Sequence, residues 1–275
     1  MKYLWLACET PSEGFHRIAG CELAGALEDV ASEELTPAQR VHQIRKSCKK
    51  MRALLRLCRA GLRRQDYRRH DAYIRETAER LSLARDAHVA LKAFDSLSAG
   101  SYVIDAPLVE VRAMLERRVA ESPDACPASG LDKTPARLKK LQKRFADAPF
   151  SLKGYGPILE GFARIYKRGR RLMDDAALDC DPETLHEWRR YAKYHWYQCR
   201  LLKNASALPL KRRCKALEEV GEVLGDDHDL WLLGDQLKTL FLTQFARRSP
   251  KPLLDLVAQR RQSLQQTAFE LGREL

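Results

Sequence analysis

The chain has 275 residues, 45% of them hydrophobic, with only 14 Gly and 12 Pro; that balance excludes a disordered or collagen-like chain and suits one large or two modest domains. Its 49 Lys and Arg against 37 Asp and Glu leave a net charge of +12 and a pI near 9.4, an excess that bears on partners rather than fold and points to a polyanion. Eight cysteines are scattered at positions 8, 21, 48, 58, 126, 180, 199 and 214 without a CxxC or Cys/His pairing, so neither a metal site nor a cofactor is expected.

Taken in chain order, the N-terminal YLWLAC is an apolar patch too short for a signal-peptide core, and no later run could span a membrane. The expected setting is soluble, reducing and cytoplasmic. Apolar residues then recur at three- and four-residue spacing, with no strand-like alternation. Helices are predicted over 14–31, 38–64, 66–97 and 105–120. Beyond the Pro/Gly/Ser stretch ESPDACPASGLDKTP at 121–135, they are predicted over 135–147, 155–177, 182–205, 208–223, 228–247 and 251–273. Thr36-Pro37 and Asp181-Pro182 place a capping residue before a proline suited to the first helical turn. Each precedes a helix led by histidine, HQIRKSCKK from His42 and HEWRRYAKY from His186.

These two segments are in register. LSLARDAHV at 81–89 follows the first and LGDDHDL at 224–230 the second; with Leu81 set on Leu224, Asp86 falls on Asp229 and Arg85 on His228. The pattern reads as an internal duplication. It divides an all-α chain into a first helical repeat at 12–120, a linker at 121–135 and a second repeat at 136–275.

At 100° per residue, Arg45, Lys49, Arg52 and Arg56 fall within roughly 60° of arc, flanked by Lys46 and Arg59. Ile44, Cys48, Met51, Leu55, Cys58 and Leu62 gather on a separate apolar face. From His186 the same geometry aligns Arg189, Lys193 and Arg200, flanked by Arg190 and Lys203, with Trp196 where the first segment has Arg52. Shorter rows at i, i+3, i+7 are formed by Arg137, Lys140 and Arg144 and by Arg164, Lys167 and Arg171. Like charges at these spacings oppose helix formation by roughly 0.2–0.5 kcal/mol per pair. Acidic partners or a bound anion must therefore neutralise them, yet His42 to Arg59 contains no Asp or Glu. Such rows suit phosphate, and few aromatics accompany them to stack bases.

The paired H-x-x-R-x-x-x-K segments, each followed by its Leu-and-Asp element, resemble the signature of the CHAD family, the conserved histidine α-helical domain. The resemblance runs from about residue 12 to 275 as a single domain. It implies two pseudo-symmetric four-helix bundle repeats flanking a central basic pore or groove, and non-catalytic binding of inorganic polyphosphate, with association to polyphosphate granules. Carried onto this chain, it nominates His42, Arg45, Lys49, Arg52, His186, Arg189 and Lys193. Geometry extends the set to Lys46, Arg56, Arg190 and Arg200 and to the rows of Arg137 and Arg164. A nucleic-acid-binding module on the same surface is the alternative. Asp86 and Asp229 read as helix-start or orienting residues, and His16, His70, His88 and His195 as ordinary histidines. If His42 and His186 donate to phosphate, lower pH strengthens binding.

Overall fold

The computed structural model describes residues 3–81, 86–98, 106–121, 131–205, 208–244 and 249–275, and among them every regular element is helical. The α-helices are α1 (Pro11–Ala31), α2 (Pro37–Leu57), α3 (Arg64–Glu79), α4 (Asp86–Ser98), α5 (Ala106–Glu121), α6 (Thr134–Ala146), α7 (Gly156–Asp179), α8 (Pro182–Leu202), α9 (Leu210–Gln244) and α10 (Lys251–Arg273). A 3-10 turn, Arg59–Gly61, follows α2. The all-α expectation is met. Arg85 and residues 122–130 of the Pro/Gly/Ser stretch lie outside the described residues.

Both histidine-led helices start as their sequences require. At α2 the Thr36 hydroxyl accepts from the Gln39 amide at 3.3 Å while the Gln39 side chain accepts from the Thr36 amide at 2.9 Å. At α8 the Asp181 carboxylate accepts from the Thr184 amide at 2.9 Å. Each cap satisfies helix-terminal N–H groups and contributes about 1 kcal/mol.

The helix expected over 38–64 ends at Leu57, and two other predicted divisions moved. The single helix expected over 66–97 is instead two, α3 and α4. Conversely, the helices expected over 208–223 and 228–247 form one 35-residue helix, α9, that runs through Gly225-Asp226-Asp227. A mid-helix glycine costs about 1 kcal/mol relative to alanine, and tertiary contacts offset it. Asp227, only 2% exposed, accepts from Arg261 Nε and Gln265 Nε2 of α10, each at 2.9 Å.

The chain divides into two compact units, each drawing segments from both sides of 121–135. The first comprises Met1–Ser82, Cys126–Arg171 and Arg190–Glu218; the second comprises Leu83–Ala125, Leu172–Arg189 and Glu219–Leu275. In the first, α1 and α3 each pack against both α2 and α6. Its core joins Phe15 and Ile18 of α1, Ile44, Met51 and Leu55 of α2, Ile74 of α3 and Phe145 of α6, all essentially inaccessible. Of the N-terminal apolar patch only Trp5 belongs to this core, whereas Leu6, Ala7 and Cys8 are exposed. Trp5 is fully buried, and its amide donates to the Leu201 carbonyl at 2.8 Å. Gly161 of α7 faces the backbone carbonyl of Leu57, where a Cβ would collide. That glycine lets α7 lie directly on the end of α2. In the second unit, Ala90 and Phe94 of α4, Val111 and Leu115 of α5, Leu233, Leu237 and Leu240 of α9 and Val257 of α10 form the core.

Candidate anion-binding surface

The neutralising groups that α2 lacks come from its neighbours. Asp71 of α3 accepts from Arg52 Nε at 2.9 Å and Arg56 Nη1 at 2.8 Å. Both guanidinium groups also lie over the Tyr194 ring, at 5.7 and 4.2 Å from its centre, which adds a cation–π term. Burial alone would raise the Asp71 carboxyl, but the hydrogen bonds from Arg52 and Arg56 outweigh it and hold the group below the usual carboxylate range. Lys50 pairs with Glu22 of α1 at 2.8 Å. Arg45 Nη1 donates to the Ala78 carbonyl in the last turn of α3 at 2.8 Å, where a cation complements the helix dipole. His42 and Lys49 are exposed, and Lys46 is half-buried.

Where α7 crosses the end of α2, the first unit opens into a cleft of about 610 Å³. Its walls carry Arg56, Arg59, Arg164, Lys167, Arg168 and Arg171, with Tyr67 and Tyr191 beside them. Glu160 is the acidic residue of this lining. Four of the cations predicted from sequence, Arg56, Arg164, Lys167 and Arg171, therefore meet in one concave site. Sequence reasoning had Arg59 as a flank of the α2 row and did not single out Arg168, Tyr67 or Tyr191. Arg168 was visible as the neighbour of Lys167 on the same helix. The tyrosines carry no sequence signal, because tertiary packing brings them there.

The remaining predicted residues lie elsewhere. Arg137 of α6 donates to Thr77 Oγ1 at 3.0 Å, and Arg137 and Arg144 each lie 4.3 Å from the Tyr73 ring centre. Lys140 between them is exposed. On α8, Lys193 and Arg200 lie over the Trp196 ring at 5.2 and 4.7 Å, and Arg190 is exposed. These residues belong to the first unit, whereas His186 and Arg189 belong to the second. There His186 packs on His228 at 4.4 Å between ring centres, and Arg189 Nε donates to the Gly221 carbonyl of α9 at 3.3 Å. Its guanidinium rests over Gly225, where a side chain would collide with it. Gly225 is thus a packing position and not the helix break its sequence suggests.

One histidine read as ordinary proves to be a neutral core group. His195 is 3% exposed and packs on Phe162 at 4.4 Å. Burial, with Arg213 nearby, pushes its imidazole down to about 3. Asp229 lines a small pocket of the second unit with Lys92 and Arg260. Among the described residues, no three His, Cys, Asp or Glu side chains stand together as a metal site, and no helix is long and apolar enough to cross a membrane.

The CHAD domain family model matches residues 22–238. The chain is similar in fold to PptA from Streptomyces chartreusis, with a TM-score of 0.71 at 14% identity over 97% of this chain and 100% of that one. It is also similar to the CHAD domain from the plant Ricinus communis, with a TM-score of 0.65 at 21% identity over 96% of this chain and 88% of that one. No curated protein is similar enough in sequence to count as a match.

Proposed function

The chain belongs to the CHAD domain family, and from that premise we propose that it binds inorganic polyphosphate on its cationic surface without cleaving it. The observation that carries this reading is the cleft of the first unit, in which six cations stand against Glu160 alone among its lining residues. Arginine offers a planar fork of donors and lysine a point charge, and both form charge-assisted hydrogen bonds with phosphate oxygens. Affinity built from many such contacts rises with chain length and falls steeply with salt, as counterions are released. Exposed Lys49, Lys140 and Arg190 extend the basic surface beyond the cleft, and polyphosphate granules are the proposed place of action.

A titration against polyphosphate of graded length tests the proposal. Long chains are expected to bind far more tightly than orthophosphate; equal affinities would sink it. Tyr67 and Tyr191 in the cleft wall favour a second reading, single-stranded nucleic acid stacked on aromatic faces. Competition decides between the two: excess polyphosphate should displace RNA or DNA, and failure to do so would favour the nucleic-acid reading. Phosphate release above background, abolished by His42→Ala or His186→Ala, would instead point to an enzyme.

A further inference from the structure

Arg52 and Arg56 stand one turn apart on α2, and their guanidinium groups share one carboxylate. Asp71 Oδ1 accepts from Arg52 Nε at 2.9 Å and Arg56 Nη1 at 2.8 Å, and Oδ2 accepts from the Nη2 of each at 3.4 Å. Arg56 Nη1 also donates to the Arg52 carbonyl at 3.2 Å, and the Arg56 guanidinium lies 4.2 Å from the Tyr194 ring centre. Arg56 is therefore held edge-on by a carboxylate and face-on by a ring. Its Nε–H and the outer hydrogen of Nη2 lie outside these contacts.

A carboxylate beside an anion site has one of two roles. It competes with the ligand for the cation, or it aligns the cation for the ligand. A competitor must occupy the space the ligand enters. Arg56 lines the cleft together with Arg59 and the α7 row, whereas Asp71 is absent from its walls. The carboxylate therefore holds Arg56 without itself lining the cleft. Its side chain is 19% exposed, against 12% for Arg56 and 16% for Arg52, so the pair is shielded and its geometry is maintained. An arginine already ordered in this way does not have to be immobilised when a ligand arrives.

We propose that Asp71 is a positioning residue that keeps Arg56 aimed into the cleft, so that removing its negative charge weakens polyanion binding instead of strengthening it. The inference rests on the polyphosphate reading above. Simple electrostatics predicts the opposite sign, since Asp71→Asn removes one negative charge from an already basic protein.

The experiment is a titration of long-chain polyphosphate at several salt concentrations against the wild type, Asp71→Asn, Asp71→Glu and Arg56→Gln. Asp71→Asn is expected to bind about three- to tenfold more weakly. The slope of log affinity against log salt should become shallower by about one, because one cation leaves the contact. Asp71→Glu, which keeps the charge within reach of both arginines, should recover much of the loss. In an Arg56→Gln background, Asp71→Asn should add little. A merely structural role would change the melting temperature while leaving the salt slope alone. Tighter or unchanged binding by Asp71→Asn would overturn the proposal, and tighter binding would make Asp71 the competitor. If Asp71→Asn does not fold, Arg56→Lys carries the test: it keeps the charge but loses the forked geometry, and wild-type affinity would equally overturn the inference. A wild type that does not bind polyphosphate at all would instead refute the functional reading itself.

Discussion

In α2 the arginine three residues after His42 donates to the Ala78 carbonyl at 2.8 Å; in α8 the arginine three residues after His186 donates to the Gly221 carbonyl at 3.3 Å. Ala78 stands three residues before Leu81 and Gly221 three before Leu224, so both anchors follow the same register. The acceptors differ in kind. Ala78 lies in the last turn of α3, where its carbonyl also accepts from the Leu81 amide at 3.3 Å, whereas Gly221 lies within α9. Further along, the helices diverge. Arg52 and Arg56 share Asp71, but at the matching positions α8 has Trp196 and Arg200, and Cys214 holds the register of Asp71, ten residues before its leucine. Trp196 offers Lys193 and Arg200 an electron-rich face at the position where α2 has Arg52. A duplicated row of cations thus keeps its layout while the groups packed against it change.

The largest expected effect comes from forcing α8 to copy α2. Trp196→Arg removes a buried ring and places a third cation beside Lys193 and Arg200, which should cost on the order of 3–5 kcal/mol in urea denaturation. Adding Cys214→Asp rebuilds the Asp71 layout and should recover part of that loss. If it recovers nothing, the equivalence of Asp71 and Cys214 fails.

A second difference is His195, a buried neutral imidazole of α8. Its folded value is depressed to about 3, against about 6.5 in the unfolded chain. The unfolded chain therefore takes up the proton first. Stability is fully present above pH ~6.5 and is lost as the pH falls toward 3. Between pH 7 and 5 the loss from this group is about 2 kcal/mol. His195→Leu should flatten that dependence, measured as the change in denaturation midpoint.

The two backbone anchors should be nearly equal. Arg45→Gln and Arg189→Gln are each expected to cost about 1 kcal/mol; a large inequality in melting temperature would show that the shared register does not carry shared energetics. The smallest effect concerns the thiols. The hydrogen bond to Cys199, with help from Lys203 and Arg200, draws the Cys214 thiol below its ordinary value against the opposing effect of burial; burial pushes Cys48 of α2 up to about 12. Iodoacetamide at neutral pH should therefore label Cys214 well before Cys48, as read by mass spectrometry.

The helical class, the caps at Thr36 and Asp181, the apolar face of α2 and the cationic rows were all legible in the residues, because each is a matter of local spacing. The sequence could not reveal Asp71, Tyr194 or Tyr67, which lie on other helices and carry no mark of the arginines they meet. Nor could it show that Gly225 is a place for the Arg189 guanidinium and not a helix end. Local propensity there is outweighed by the ion pair that Asp227 makes with α10.

What the sequence alone determined is therefore periodic: which faces are apolar, which are cationic, and where each helix led by histidine begins, since these follow from side chains three to four residues apart. Tertiary structure decided which cations are spent on carbonyls and carboxylates and which converge on a cleft. That choice depends on distances between helices far apart in the chain, and no spacing within a helix encodes them.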